Sequence, residues 1–171
     1  GRRFTCYEQF LLKLKRHCSR NSKICGTVLD IYNKADGRID LHGGGRKAEL
    51  LAFDNAHSGN DAILYLPQDG IVFMSDLLFV GCHPYLADGD PLKQLSALKA
   101  IEKLDAAQFV PGHGSVGTRD DLVLMIEYVE HCLQLAQELH QAGEIGKERL
   151  AALNIPEPFQ NWHFSKFFQM N

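Results

Sequence analysis

The spacing of hydrophobic residues along the chain predicts four helices. The first apolar stripe follows Thr5-Cys6-Tyr7-Glu8, which has the form of a capping box. The second follows Asp90-Pro91, an N-cap residue and a proline suited to the first helical position. The third follows another capping box, Thr118-Arg119-Asp120-Asp121, and stops at Gly143. These signals predict helices over residues 6–18, 90–105, 118–142 and 144–153.

Between the first two helices the hydrophobic pattern changes to short β-branched and apolar runs, which are typical of strands. Two of these runs flank Pro67-Gln68-Asp69-Gly70, a combination that favours a β-hairpin. The pattern predicts an α/β domain of the α+β type, a mostly antiparallel sheet flanked by helices. The strands are predicted over residues 24–31, 38–42, 47–54, 61–66, 71–74 and 108–110.

Length and composition indicate one globular domain: the chain has 171 residues, of which 45% are hydrophobic. No apolar run approaches the roughly 18 residues that span a bilayer. A net charge of −3 argues against a general nucleic-acid-binding protein, and the basic first segment is interpreted as a solvated helix face. The five scattered cysteines form no Cys-x-x-Cys pair, which is typical of reduced thiols in a cytoplasmic protein. They are Cys6, Cys18, Cys25, Cys82 and Cys132.

Three metal-ligand side chains each follow the end of a predicted strand. They are His57, Asp76 and His113, the last within Pro111-Gly-His-Gly114. Two imidazoles and a carboxylate are a donor set that zinc or a similar divalent ion binds. A single histidine after a strand is more often an ordinary surface residue, and Pro-Gly-His-Gly is also a common tight turn. Asp76 ends an apolar run, where a carboxylate is costly unless it is paired, capping or coordinating.

The three motifs, His57-Ser-Gly-Asn-Asp61, Ile71-Val-Phe-Met-Ser-Asp-Leu-Leu-Phe79 and Val110-Pro-Gly-His-Gly-Ser115, resemble the later motifs of the metallo-β-lactamase superfamily in order and spacing. The resemblance covers residues 38–145. It implies that residues 1–171 form a single truncated domain, the C-terminal half of that family's αβ/βα sandwich. Its parts are the helix at 6–18, the sheet and metal-loop region at 24–114, and the C-terminal helices and tail at 118–171.

The same resemblance assigns roles in a two-metal hydrolase. It makes His57 the third ligand of the first metal, Asp76 the carboxylate that bridges both metals, and His113 the last ligand of the second. Zinc or another divalent metal would activate a water molecule that attacks a small-molecule ester, thioester or lactone. The stretch from Phe79 to Asp90 also resembles one hydrolase-like branch of the superfamily. His83 is therefore a candidate substrate-side residue, although a structural His-Pro turn is the alternative.

Two departures from the family pattern bear on activity. The signature His-x-His-x-Asp-His, which supplies the other four ligands, is absent from the sequence, and Ser75 stands where the family has glycine before the bridging aspartate. We therefore expect the isolated chain to be inactive. The alternative is a non-catalytic remnant or oligomeric binding module that keeps a residual metal site. A nucleic-acid-processing role has only the basic first segment in its favour.

The strands carry apolar residues on both of their faces, as in a sheet that is covered on two sides. The helices predicted at 90–105 and 118–142 can cover only one side. We therefore expect a partner on the other side: a second copy in a homodimer or higher oligomer, or a missing N-terminal half.

Overall fold

The computed structural model describes residues 37–43, 45–143, 146, 149–150 and 152–171. The helix predicted at 6–18 and the strand predicted at 24–31 lie outside these residues, and so does half of the helix predicted at 144–153. The described part contains a five-stranded sheet. Its strands are β1 (Arg38–Gly43), β2 (Arg46–Asp54), β3 (Asn60–Leu66), β4 (Ile71–Phe79) and β5 (Gln108–His113).

The strands lie side by side in chain order. Successive strands from β1 to β4 pair antiparallel, whereas β5 pairs parallel to β4. The crossover between them contains one long helix (Pro91–Ile101), and a second long helix (Arg119–Ala142) follows β5. The mostly antiparallel α+β fold predicted from the sequence is confirmed. The helices are α1 (Pro91–Ile101), α2 (Arg119–Ala142) and α3 (Lys166–Met170), and a single 3-10 turn spans Glu157–Phe159.

Both long helices begin where the sequence predicted. The Asp90 carboxylate caps α1 by accepting a hydrogen bond of 2.9 Å from the backbone N–H of Leu92. In the capping box of α2, Asp121 accepts from the backbone N–H of Thr118 at 2.7 Å. Helix α2 closes on Gly143, whose φ of 67° is left-handed. Helix α1 ends at Ile101, four residues before its predicted end. No helix in the described ranges combines the length and apolar character needed to cross a bilayer.

The core lies between the helices and one face of the sheet. Val72, Met74 and Phe109 are fully buried on that face, and Leu98 of α1 and Met125 of α2 are fully buried opposite them. Burial raises the pKa of both cysteines in the described part of the chain, that of Cys132 to about 11, so neither thiol ionises at neutral pH.

The other face of the sheet carries a second apolar surface outside this core. Five residues align across the five strands, because the register pairs Ile39 with Leu50, Leu50 with Leu64, Leu64 with Phe73, and Phe73 with Val110. None of them belongs to the core cluster or packs against it among the described residues, and Phe73 is 42% exposed. We call this row the open face.

Two strands are longer than the sequence predicted. Strand β4 was expected to stop at Met74 and to leave Asp76 in a turn, but it continues to Phe79 with irregular register on either side of Ser75. Strand β5 continues through Pro111 to His113 instead of ending at residue 110. Parallel pairing between β4 and β5 extends both strands beyond their apolar runs, so Asp76 and His113 lie within the sheet.

Ser75 adopts a left-handed backbone conformation with φ of 51°, which costs a non-glycine residue roughly 1–2 kcal/mol. We expect Ser75→Gly to raise the free energy of unfolding by about 0.5–1 kcal/mol, because glycine adopts this conformation without steric cost. Urea denaturation of the two proteins measures the difference. A matched control is Ser58→Gly: the sequence change is the same, but Ser58 has no positive φ and should lose stability. A less stable Ser75→Gly protein would show that the serine side chain matters more than the strain.

Candidate metal centre

Asp76 and His113 are brought together by the parallel pairing of β4 and β5. His113 Nε2 lies 3.6 Å from Asp76 Oδ1, and the side chains are 54% and 30% exposed. Gly112 makes the approach possible, because a Cβ atom at this position would overlap the Asp76 carboxylate and lie 2.8 Å from the carbonyl of Ser75. The pair therefore stands at the surface with its donor atoms accessible to a ligand.

His57 adjoins this pair through the ring of Phe79. The Phe79 ring centroid is 4.9 Å from that of His113, in a stacked arrangement, and 5.5 Å from that of His57. The Nδ1 atom of His57 is buried and has no hydrogen-bond partner. Ligating histidines usually have their second ring nitrogen held by a hydrogen bond, so His57 lacks the partner that would fix its ring.

The three predicted ligands do not form one preorganised set. Within residues 37–43, 45–143, 146, 149–150 and 152–171, no group of three or more His, Cys, Asp or Glu side chains is arranged to hold a metal ion. Among these three, Asp76 and His113 come within 3.6 Å of each other. The donor chemistry still fits a divalent ion, since a carboxylate–imidazole pair adjoins a second imidazole. The assignment of the three residues as ligands stays a prediction.

Asp61 organises the His57 loop and was missed as a site residue at the sequence level. One oxygen of its buried carboxylate accepts hydrogen bonds from the backbone N–H groups of Ala56, His57 and Ser58 at 3.1, 2.8 and 3.0 Å. The other oxygen accepts from the Ser58 hydroxyl at 2.8 Å. An aspartate that follows a turn and accepts hydrogen bonds from the backbone of that turn is a local motif. The short spacing between His57 and Asp61 was therefore the sequence signal that could have identified Asp61.

His83 lies in an aromatic cluster beneath the C-terminal segment and is 1% exposed. Its Nδ1 lies 3.1 Å from the Tyr128 hydroxyl, and its Nε2 lies 3.2 Å from the carbonyl oxygen of Phe159. Both ring nitrogens therefore have protein partners, and neither faces solvent. This geometry favours the structural alternative for His83 over the role of a substrate-side residue.

Burial lowers the pKa of His83 below its ordinary value of 6.5. The unfolded chain then takes up a proton at a higher pH than the folded chain does. We expect this residue to reduce the free energy of unfolding as the pH falls below 6.5, until the folded-state pKa is reached. Urea denaturation between pH 7.5 and pH 5 should show a weaker pH dependence for His83→Gln than for the unmodified protein. Equal slopes would contradict the prediction.

The sequence comparison agrees with this fold. The model of the family described as the metallo-beta-lactamase superfamily matches residues 28–113, which is half of the chain. This chain belongs to the metallo-beta-lactamase superfamily. No curated protein matches it in sequence.

The first two of the following solved structures share the fold of this chain. The metallo-beta-lactamase from Pontibacter korlensis is 23% identical with a TM-score of 0.50, over 55% of this chain and 46% of that one. The sec-alkylsulfatase Pisa1 from Pseudomonas sp., described as stereoselective and inverting, is 16% identical with a TM-score of 0.59, over 77% of this chain and 22% of that one. The metallo-beta-lactamase FIM-1 from Pseudomonas aeruginosa, solved in a mono-zinc form, is 27% identical with a TM-score of 0.44, over 48% and 39% of the two chains.

The chain therefore spans less than half the length of these structures. The likeness concerns the fold alone. The substrates and reactions named for those proteins are properties of those proteins, and the likeness does not assign them to this chain.

Proposed function

We propose that the chain carries part of the metal centre of a hydrolase, with Asp76 and His113 as one ligand pair and His57 as a third ligand. The distance of 3.6 Å between Asp76 and His113 carries this proposal, because two donors of unlike type, one exposed and one half-buried, meet where two strands pair. Zinc or another divalent ion, when bound, would lower the pKa of a coordinated water and polarise the bond to be cleaved. The chain's own residues would hold the ion: Asp76 as a carboxylate donor, and the two histidines as neutral donors.

The substrate class that we propose is a small-molecule ester, thioester or lactone, hydrolysed by attack of a metal-activated water. The same proposal includes inactivity of the isolated chain. The sequence contains no His-x-His-x-Asp-His motif, and three ligands cannot preorganise a two-metal site. Reduced thiols and the absence of a Cys-x-x-Cys pair support a cytoplasmic setting.

Metal titration tests the ligand assignment directly. We expect the protein to bind one Co²⁺ or Zn²⁺ ion weakly, and we expect Asp76→Asn and His113→Gln each to weaken binding about ten-fold or more. Asp69→Asn is the matched control, because Asp69 lies just before the start of β4, away from Asp76, and is paired with Arg46. Equal binding by Asp76→Asn and Asp69→Asn would overturn the assignment.

A turnover assay tests the expected inactivity. Lactone, thioester and phosphodiester substrates should show no hydrolysis above background when the isolated chain is supplied with zinc or manganese. Turnover that Asp76→Ala abolishes would show instead that the remaining ligands are supplied in another way. A non-catalytic binding module is the second candidate function, and the strained Ser75 in place of the family's glycine favours it.

We further propose that a second copy of the chain covers the open face. The aligned row from Ile39 to Val110 is apolar on all five strands, and Phe73, the residue of this row on β4, is substantially exposed. The same face on two copies is self-complementary about a two-fold axis, and sheets pack readily face to face. The missing N-terminal half of the family fold is the competing occupant.

Light scattering at micromolar concentration tests this interface. We expect a dimer for the unmodified chain and a monomer for Phe73→Glu, because a charge within an apolar interface is costly to bury. Leu92→Glu is the control, since Leu92 is 65% exposed on α1, away from the open face. A monomeric unmodified chain would contradict the proposal.

A further inference from the structure

A single loop contacts the backbone near both histidines of the candidate centre, His57 and His113. Residues 80–90, which we call the connecting loop, run from the end of β4 to the start of α1. At one end, the backbone N–H of Val80 donates to the carbonyl of His113 at 3.0 Å. At the other end, the N–H of Asp90 donates to the carbonyls of Asn55 and Ala56, each at 3.0 Å. The connecting loop thus joins the His113 strand to the His57 loop.

Both junctions are packed without free space. A Cβ atom on Gly89 would overlap the carbonyl of Ala56 and lie 2.7 Å from the carbonyl carbon of His57. A Cβ atom on Gly114 would overlap the carbonyl of Val80 in the same way. Because the backbones touch at these points, a displacement of the connecting loop must displace the backbone beside His57 or beside His113.

The C-terminal tail, residues 156–171, holds the middle of the connecting loop. His163 donates its backbone N–H to Gly81 at 2.8 Å and accepts from the N–H of His83 at 2.9 Å, which forms a short parallel bridge. Asn171 adds a side-chain clamp: its Nδ2 donates to the carbonyl of Pro84, and its Oδ1 accepts from the N–H of Leu86, each at 2.9 Å. One amide side chain thereby satisfies two backbone groups of the loop.

A directed chain of hydrogen bonds joins these groups below the loop. The carbonyl of Phe159 can only accept, so His83 Nε2 carries the proton, and Nδ1 accepts from the Tyr128 hydroxyl. The Tyr128 oxygen in turn accepts from Asn171 Nδ2 at 3.2 Å. In this order each hydrogen bond has one donor and one acceptor, with His83 neutral.

We propose that His83 and Asn171 are positioning residues for the candidate metal centre. They fix the connecting loop against the tail, and the loop then sets the distance between the His57 and His113 backbones. The functional part of this inference rests on the proposed metal centre. The mechanical link from the tail through the connecting loop to His57 and His113 is independent of that centre. In this role His83 touches neither the metal nor the substrate. The role accounts for two facts: His83 follows the site residues closely in the sequence, and its side chain is buried in the structure.

Amide hydrogen exchange of the full chain tests the mechanical link. We expect Asn171→Ala to speed exchange of the Ala56, His57 and Asp90 amides about ten-fold relative to Ile63, since the loss of a part-buried hydrogen bond contributes about that factor. Tyr128→Phe should act in the same direction, because it removes the shared hydroxyl and keeps the ring. Phe168→Leu is the matched control: it removes buried tail packing and leaves the hydrogen bonds of Asn171 intact. Unchanged exchange in Asn171→Ala, or the same local rise in Phe168→Leu, would overturn the proposal.

Co²⁺ binding supplies the second readout. Asn171→Ala and Tyr128→Phe should weaken binding roughly ten-fold, as loss of an outer-shell partner does, while Phe168→Leu should lower the melting temperature without changing affinity. If the unmodified chain binds no Co²⁺, the proposed function fails and exchange alone decides whether the tail positions the loop. If the unmodified chain binds Co²⁺ and all three variants bind it equally, the positioning role is wrong and the metal centre stands.

Discussion

Gly112→Ala should weaken Co²⁺ or Zn²⁺ binding about 100-fold, which is the upper end of the effects seen when groups that orient metal ligands are substituted. The new methyl group would overlap Asp76 Oδ1 and lie 2.8 Å from the carbonyl carbon and oxygen of Ser75. The Asp76 side chain can rotate away, but the Ser75 backbone is held in β4, so β5 must move away from β4. Both candidate ligands are displaced together. Overpacking of this kind also costs about 1–3 kcal/mol of stability.

Metal titration and urea denaturation of the same protein samples measure the two effects. Gly59→Ala is the control, because Gly59 lies in the His57 loop and a Cβ atom there meets nothing within 4 Å. It should bind metal as the unmodified chain does and change stability by less than about 0.5 kcal/mol. Normal stability of Gly112→Ala would show that the approach of β5 to β4 is looser than the structure indicates.

Asp61→Ala should lower the free energy of unfolding by about 3 kcal/mol, because three backbone N–H groups lose a charged acceptor in a part-buried loop. The free energy of unfolding of Asp61→Asn should lie between those of Asp61→Ala and the unmodified protein, since the amide keeps one oxygen that accepts from the N–H groups. The same variants should bind metal more weakly, because the loop that carries His57 loses its internal support. Urea denaturation gives the stability difference.

Asp54→Ala is the matched control for Asp61. Asp54 accepts from Lys93 at 2.6 Å, but both side chains are more than 40% exposed. An exposed ion pair contributes at most about 1 kcal/mol, so this substitution should have a small effect. If Asp54→Ala were as costly as Asp61→Ala, the stability of this region would depend on surface charge and not on the buried carboxylate.

Elements that depend on neighbouring residues were predictable from the sequence. The N-cap at Asp90, the capping box at Thr118 and the Gly143 ending each involve residues within about one helical turn. The hairpin from β3 to β4 follows from its turn residues and two apolar runs. Such signals are local, and the structure follows them closely.

Elements that depend on distant pairing were not predictable. The polar pair Ser75-Asp76 and the Pro111-Gly112 pair indicate strand ends, but pairing between β4 and β5 carries both strands through them. The distance between Asp76 and His113 is fixed by that pairing. Likewise, the sequence around His83 contains no sign of Phe159 or Asn171, which lie more than seventy-five residues later in the chain.

The order of the strands bears on how the protein folds. Strands β1 to β4 form successive antiparallel hairpins, in which each strand pairs with its neighbour in the chain. Strand β5 joins only after residues 80–107 have crossed over, and such non-local closure is slow because the loop loses entropy before its contacts form. His113 arrives with that last strand. We expect the meander to form first, so a folding chain passes through a stage in which Asp76 is in place without its imidazole partner.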